Sequence, residues 1–194
     1  KYPGITEYLA KKTKTKNPVM LIYNNKVSVS PITTHIPLHK VSKEISIKKI
    51  INNTKLINNF YKTTLKKKPN IAITGLNPHC ESFSKKNEEK NIILPAIKRL
   101  KKHNLKVYGP FPADTIFLKD NLKKYDVIVG MYHDQVLTPL KSIFNFKAIN
   151  ITIGLPFIRI SPDHGPNIKM YGKNKSDPTS FKEAIIFLNK LSAN

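Results

Sequence analysis

The chain has 194 residues, of which 40% are hydrophobic, enough to bury the core of one domain. Its longest apolar runs, such as residues 127–131, are far too short to span a bilayer, and no signal-peptide pattern opens the sequence. A single cysteine, Cys80, excludes an internal disulfide, and we therefore predict a cytoplasmic protein with no membrane contact. The chain starts at Lys1 with residues typical of the middle of a protein, so we expect an absent N-terminal part.

The formal net charge of +22 is the most unusual feature of the composition and is compatible with nucleic-acid binding. However, Arg99 and Arg159 are the only arginines among 34 basic residues, and arginine is the residue preferred for reading bases and gripping phosphates. The lysines are scattered, with short clusters at residues 11–16 and 66–68. We interpret the charge as drift under AT-rich codons and predict only nonspecific, salt-sensitive binding to nucleic acid.

The first half of the chain predicts a hairpin followed by a long helix. Residues 19–23 and 26–30 have the pattern of two strands joined by a tight turn at Asn24-Asn25, and residues 32–35 could extend the second strand past Pro31. From about residue 45 to 65, apolar side chains recur near the helical spacing of 3.6 residues.

The second half alternates strands and helices. We predict strands at residues 71–73, at 105–108 (ended by Gly109-Pro110), at 126–131 and at 148–153. Helices are predicted at residues 88–103, where Pro95 delays the regular part until near Leu94, and at about 179–191. This order indicates an α/β protein with a largely parallel or mixed sheet.

Three histidines follow predicted strands: His35, His79 and His133. Ligands of open α/β sheets collect beyond the carboxyl ends of the strands, and three neutral imidazoles meeting there would hold a metal with positions open for substrate. The spacing is not a metal motif in itself, so a structural role for each histidine is the alternative. His39 and His103 are interpreted as surface residues, and Cys80 as a small residue that fills space at a strand end.

Several longer motifs occur in order along the chain. They are Thr33-Thr34-His35-Ile36-Pro37-Leu38, Leu76-Asn77-Pro78-His79, residues 109–115, Met131-Tyr132-His133-Asp134-Gln135, residues 150–159 and Asp163-His164-Gly165. Together they resemble the 4-hydroxythreonine-4-phosphate dehydrogenases over essentially the whole chain. The resemblance implies an isocitrate/isopropylmalate dehydrogenase-like fold with three layers and a mixed sheet. It also implies that residues 1–194 are the C-terminal, metal- and substrate-binding part of a two-domain enzyme.

The same resemblance implies the site residues. A divalent metal would be held by His35, His79 and His133, with zinc the first choice and magnesium, manganese or cobalt the alternatives. The site would be shared between the subunits of a homodimer. Residues matching the positions that bind the phosphorylated hydroxy amino acid are Thr6, Lys141, Asn150 and Arg159, whose charges and hydrogen-bonding groups suit that task. The carboxylates that could orient the imidazoles, or simply form caps and turns, are Asp114, Asp134 and Asp163.

The implied reaction is the NAD- or NADP-dependent oxidation of 4-phosphooxy-L-threonine to 2-amino-3-oxo-4-phosphooxybutanoate, in pyridoxine 5′-phosphate biosynthesis. This β-keto acid then loses carbon dioxide to give 3-amino-2-oxopropyl phosphate. The chain has seven glycines and no GxGxxG, which argues against a Rossmann fingerprint. The resemblance instead implies a dinucleotide in a cleft between domains, and no cofactor-binding residue is assigned.

Two departures from the family pattern bear on activity. Ile5 stands where the family's Gly-His-Thr-Glu motif has a substrate-binding histidine, and an apolar side chain cannot replace that hydrogen bond. Residues 80–86 contain no glycine where the family has a glycine-rich loop, so a positive-φ turn there would be strained. An inactive remnant of the enzyme, or a basic nucleic-acid-binding protein, therefore stands as the alternative function.

Overall fold

The structure, a computed structural model, describes residues 5–81, 87–165 and 168–192. The first half contains α1 (Ile5–Lys12), β1 (Val19–Tyr23), β2 (Ser28–Thr33), a 3-10 turn (Leu38–Lys40), α2 (Val41–Glu44), α3 (Ile47–Thr63) and β3 (Ile71–Thr74). Next come a 3-10 turn (Pro78–Cys80), a π-helical turn (Glu89–Ile93), α4 (Leu94–Lys102), β4 (Val107–Phe111), α5 (Lys119–Leu122) and β5 (Val127–Tyr132). The chain continues with α6 (His133–Phe144), β6 (Ile149–Ile153), β7 (Arg159–Pro162), a 3-10 turn (Ile168–Met170) and α7 (Thr179–Ser192).

The seven strands form one mixed sheet in the order β4-β3-β5-β2-β1-β6-β7. β2, β3, β4 and β5 are parallel, whereas β1 is antiparallel to β2 and β6, and β7 is antiparallel to β6. In the predicted hairpin between β1 and β2, the Asn24 side chain accepts a hydrogen bond of 3.0 Å from the Lys26 amide, which stabilises the turn. The carboxyl ends of β2 and β5 therefore lie side by side, and a site can form there.

Helices cover both faces of the sheet. Alternate strand residues such as Ile71 and Ile73 belong to one buried cluster with Ile57 of α3 and Leu100 of α4. On the opposite face, a second cluster joins residues that include Ile128 of β5 and Val136 and Leu140 of α6. The predicted three-layer α/β architecture with a mixed sheet is confirmed.

Several local predictions are also confirmed. β2 passes through Pro31 to Thr33, as the sequence allowed. The regular part of the fourth helix begins at Leu94 with Pro95 in its first turn, after the π-helical turn. The structure also shows a cap that the sequence prediction had not identified: at the start of α3, the Ser46 hydroxyl accepts a hydrogen bond of 3.2 Å from the Lys49 amide.

One strand boundary was predicted wrongly. Gly109-Pro110 does not end β4, which runs on to Phe111 through a cis peptide bond between these two residues. Gly109 has φ +123°, and a Cβ there would lie 2.3 Å from the carbonyl oxygen of Ile73. The glycine thus permits close contact between β4 and β3. The sequence pattern Gly-Pro, which commonly ends a strand, does not reveal this contact.

Five labelled elements of the structure were absent from the sequence prediction: α1, α2, α5, α6 and β7. α6 has apolar residues at helical spacing, but Pro139 inside it argues against a helix, and β7 is an edge strand of four half-buried residues without a clear alternation. In the parts of the chain that the structure describes, every helix is too short or too polar to cross a membrane.

Candidate active site

A cleft of about 420 Å³ opens beside the carboxyl ends of β2 and β5. His35 follows β2 by two residues, and His133 follows β5 directly as the first residue of α6. The other walls come from α1, α6, β6 and the segment from β7 to Gly165. The topology therefore places the cleft where α/β sheets commonly bind ligands.

All four residues that the sequence assigned to the substrate line this cleft. Thr6 comes from α1, Lys141 from α6, Asn150 from β6 and Arg159 from β7. They are separated by up to 153 positions in the chain and are brought together only by the fold. Two cations and two neutral hydrogen-bonding groups facing one space suit a small ligand with more than one anionic group.

Arg159 is held by hydroxyl groups. Its Nη1 donates to Thr152 Oγ1 at 3.1 Å and, at 3.5 Å, to Thr6 Oγ1. Burial lowers the pKa of the guanidinium, although the group stays charged at neutral pH. None of the described carboxylates forms an ion pair with Arg159. Its remaining donors are therefore available to a ligand in the cleft.

Asp163 instead holds Lys141. The lysine Nζ lies 2.6 Å from the backbone oxygen of Asp163 and 3.4 Å from its Oδ2. The aspartate side chain is buried, which raises its pKa, and the charge of Lys141 acts in the opposite direction. Two contacts leave one ammonium proton for a ligand, so the pair fixes the position of the cation in the cleft wall.

Ser180 fixes the backbone of Asp163 in turn. This fully buried serine, in the first turn of α7, accepts a hydrogen bond of 2.8 Å from the Asp163 amide and donates one of 2.5 Å to the Ala148 carbonyl. It thereby ties the start of α7 to the segment entering β6. No sequence motif had singled out Ser180.

Asn150 Oδ1 is buried and has no hydrogen-bond partner among the described residues. Most buried polar atoms in folded proteins have a partner, and those that lack one are often found where a ligand binds. Because Asn150 lines the cleft, a donor from a bound molecule would satisfy this oxygen.

His35 and His133 face each other with ring centroids 5.8 Å apart. Nδ1 of His133 lies 2.6 Å from Oδ1 of Asp134, which fixes the orientation of that ring. Both imidazoles line the cleft, but His79, in the exposed turn Pro78–Cys80, does not. The described residues contain no group of three histidine, cysteine or acidic side chains arranged for a metal within one chain. The three-histidine site stays a prediction, which the resemblance places between two subunits.

Asp114 was considered as a carboxylate that could orient an imidazole. Its side chain is exposed, and no hydrogen bond to an imidazole is present among the described residues. Its negative charge acts instead on Cys80, whose thiol pKa is raised mainly by burial and further by Glu89 and Asp114. Asp114 is thus close to the turn that carries His79, without orienting the ring.

Two polar residues hold the turns around the cleft, and the sequence prediction included neither as a site residue. Glu89, only 2% exposed, accepts hydrogen bonds of 2.8 Å from the amides of Leu76 and Asn77, just before His79. Gln135 Oε1 accepts from the Met131 amide at 2.7 Å, and its Nε2 donates to the Gly75 carbonyl at 2.8 Å. Gln135 thus links the end of β5 to the end of β3, and Glu89 holds the segment that follows β3.

The two departures from the family pattern lie at the same end of the sheet. Ile5 lines the cleft and is 54% exposed, so it presents an apolar surface to a ligand beside Thr6. His79 and Cys80 have φ values of 56° and 60°, a region that favours glycine. The predicted strain is therefore present where the glycine-free segment starts, and residues 82–86 of that segment lie outside the described residues. The cleft also includes His164 and Ser161, which the sequence reasoning had not assigned to the site.

Comparison with known proteins gives one consistent result. The profile of the family described as pyridoxal phosphate biosynthetic protein PdxA matches residues 1–188. A 4-hydroxythreonine-4-phosphate dehydrogenase of Sulfurihydrogenibium sp. is 47% identical over 186 residues, which are 95% of this chain and 57% of the relative. A D-threonate 4-phosphate dehydrogenase of Salmonella typhimurium is 41% identical over 91% of this chain and 55% of its own length.

A solved structure agrees with these sequence matches. The crystal structure of 4-hydroxythreonine-4-phosphate dehydrogenase from Klebsiella pneumoniae superimposes with a TM-score of 0.84 at 35% identity, covering 98% of this chain and 59% of that one. The chain thus spans somewhat more than half the length of these relatives. On this evidence the chain belongs to the PdxA family of pyridoxal phosphate biosynthetic proteins.

Proposed function

We propose that the protein is the substrate-binding, C-terminal part of a cytoplasmic NAD(P)-dependent dehydrogenase that oxidises 4-phosphooxy-L-threonine. The observation that carries the proposal is the convergence of Thr6, Lys141, Asn150 and Arg159 on one cleft. The names of the relatives, which are dehydrogenases of phosphorylated four-carbon acids, support the same substrate class.

The cleft residues suit the two ends of such a substrate. Lys141 and Arg159 would neutralise its phosphate and carboxylate, since each keeps donors that no protein acceptor uses. Thr6 and Asn150 would add directional hydrogen bonds, and Asn150 Oδ1 needs a donor such as the substrate's ammonium or hydroxyl group. Together these contacts would fix the position of the substrate's secondary alcohol in the cleft.

The proposed reaction transfers hydride from the alcohol carbon to NAD(P), and the hydroxyl proton is released. The resulting ketone lies β to the carboxylate, so the bond between the carboxyl carbon and C2 breaks, carbon dioxide leaves, and C2 takes up a proton from solvent. The cleft residues then retain the phosphate of the 3-amino-2-oxopropyl product. No residue of this chain is assigned to the dinucleotide, which the resemblance places between this part and the remainder of the enzyme.

We also propose a divalent metal at a homodimer interface. His35 and His133 of one chain supply only two imidazoles in the cleft, which is fewer than a stable centre requires. A site shared between subunits would supply the third, and this accounts for the separation of His79 from the cleft. Such an ion would favour ionisation of the substrate hydroxyl.

A second candidate substrate is D-threonate 4-phosphate, which has a hydroxyl group at C2 where 4-phosphooxy-L-threonine has an ammonium group. It is suggested by the similarity to the D-threonate 4-phosphate dehydrogenase of Salmonella typhimurium, which is 41% identical over 91% of this chain. If both substrates fail to bind, the inactive-remnant alternative is preferred.

The test is to incubate the protein with each phosphorylated acid and either NAD or NADP, and to follow reduced cofactor and released carbon dioxide together. We expect one acid to give both products in equal amounts. Binding without turnover would show that this chain keeps the site but requires the remaining part of the enzyme. Absence of binding for both acids would contradict the proposal.

A further inference from the structure

A second, larger groove of about 1060 Å³ lies at the opposite end of the sheet from the candidate active site. Its residues precede the parallel strands: Lys26 lies before β2, Lys68 before β3, Lys106 before β4 and Lys124 before β5. The groove is at or above the upper end of the volumes that small-molecule pockets occupy, roughly 300–1,000 Å³. Nothing in the proposed dehydrogenase function uses it.

The groove concentrates positive charge. Half of its lining residues, seven of fourteen, are lysines. In the whole chain, lysines are 32 of 194 residues. The single acidic lining residue, Asp126, is engaged by Lys67 and by the Asn70 amide. Lys123 pairs with Asp120 at 3.3 Å, but both side chains are exposed and the pair is weak. Lysines that are scattered in the sequence therefore gather in the fold.

Aromatic and aliphatic side chains form the floor between the lysines. Phe117, Phe144 and the half-buried Tyr125 line it, together with Ile143, which is 44% exposed. The centroid of the Tyr125 ring lies 5.4 Å from that of Phe111 and 5.8 Å from that of Tyr108. The Tyr108 side chain is 40% exposed. The groove thus offers ring faces flanked by ammonium groups.

We propose that this groove binds single-stranded nucleic acid through lysine–phosphate contacts and base stacking. Such grooves combine a positive track for the backbone with aromatic platforms for unstacked bases. A concave floor does not fit a flat membrane, and a duplex keeps its bases inside the stack. Because every cation in the groove is a lysine and none is an arginine, whose planar group is the preferred reader of base edges, the contacts go mainly to phosphates and binding is independent of sequence.

The experiment measures fluorescence anisotropy of a labelled oligothymidylate of roughly twelve nucleotides. The wild type is compared with a triple groove variant, Lys106→Gln, Lys123→Gln and Lys124→Gln. Its matched control, Lys43→Gln, Lys48→Gln and Lys55→Gln, removes the same charge from exposed positions on α2 and α3. Circular dichroism verifies that all variants are folded.

We expect the groove variant to bind at least about tenfold more weakly at low salt and the slope of log affinity against log salt to fall by roughly 2, while the control changes little. Equal losses in both variants would show attraction to net charge alone and overturn the proposal. Tighter binding of a duplex than of the single strand would also overturn the proposal. So would displacement of the labelled oligonucleotide by polyglutamate as effectively as by unlabelled oligothymidylate.

A second variant tests stacking independently of charge. Tyr125→Leu keeps an apolar side chain in the floor but removes the ring. Loss of one stacked base weakens binding about tenfold. If Tyr125→Leu binds the oligonucleotide as tightly as the wild type, the groove does not use base stacking and the nucleic-acid assignment is wrong.

Discussion

At the scale of single residues, the turn before His79 depends on one buried carboxylate. Burial acts to raise the pKa of Glu89, but hydrogen bonds from Asn77 and Leu76 outweigh it, and the net pKa is lowered. A lowered pKa means that the folded state favours the ionised form, so this stabilisation is complete above the ordinary pKa of glutamate. It is lost as pH falls through the lower, folded-state value.

Glu89→Gln tests this assignment. In the wild type, Oε2 of Glu89 accepts a hydrogen bond of 3.0 Å from the side-chain amide of Asn77. In the variant an NH₂ group would face this donor, so we expect a loss of about 1–3 kcal/mol of unfolding free energy at neutral pH. Denaturant unfolding at neutral and acidic pH is the measurement. The difference from wild type should shrink in acid, where Glu89 is protonated; a difference that is constant with pH would contradict the account. Glu44→Gln, at an exposed position, is the control.

At the scale of elements, what could be predicted depended on how local the signal is. β1, α3 and the start of α4 were predictable because hydrophobic periodicity, a proline and a turn of asparagines act within a few residues. The passage of β4 through Gly109-Pro110 was not, because it depends on contact with the Ile73 carbonyl of a neighbouring strand. β7 forms only because β6 pairs with it, an interaction that its own residues do not encode strongly.

The same distinction applies to the site. Motif resemblance identified Lys141, Asn150 and Arg159, and the fold brings them together. It could not reveal that Lys141 pairs with Asp163, because that contact depends on how β7 and its following turn lie against α6. Glu89, Gln135 and Ser180 were missed for the same reason, since their partners are distant backbone groups.

An element-scale prediction concerns the link between α7 and the cleft. Ser180→Ala removes the hydroxyl that joins the Asp163 amide to the Ala148 carbonyl, leaving two buried backbone groups without partners. We expect a loss of about 1–3 kcal/mol in unfolding free energy and weaker binding of anions in the cleft. Ser192→Ala, near the exposed end of the same helix, should change neither quantity. If Ser180→Ala has the unfolding free energy and the anion affinity of the wild type, the hydrogen bonds of Ser180 do not support the cleft.

At the scale of the whole molecule, the cleft and the lysine-rich groove occupy opposite ends of one sheet. The carboxyl ends of β2 and β5 carry the histidines, and the amino ends of the parallel strands carry the lysines. Changes in one site should therefore leave the other unaffected, because the packed sheet separates them.

The proposed metal centre is also a property of the assembly. We expect purified protein to contain one divalent ion per site, and metal content to fall in His35→Ala, His79→Ala and His133→Ala. His39→Ala, which alters an exposed histidine outside the cleft, is the control. Metal analysis combined with size-exclusion chromatography tests whether the ion is retained only by the dimer. Equal metal content in His79→Ala and wild type would contradict the three-histidine assignment.

The central claim is that the cleft binds a phosphorylated four-carbon acid through Arg159 and Lys141. Isothermal titration calorimetry with 4-phosphooxy-L-threonine and D-threonate 4-phosphate tests it most directly, with wild type, Arg159→Met and Arg99→Met compared alongside their melting temperatures. Arg99 is the only other arginine and is exposed on α4, so it is the matched control. Loss of a charge-assisted contact of about 1.5–3 kcal/mol predicts roughly ten- to a hundredfold weaker binding for Arg159→Met. The affinity of Arg99→Met should equal that of the wild type. Unchanged affinity in Arg159→Met, with a lower melting temperature, would show that Arg159 only supports the fold and would contradict the account.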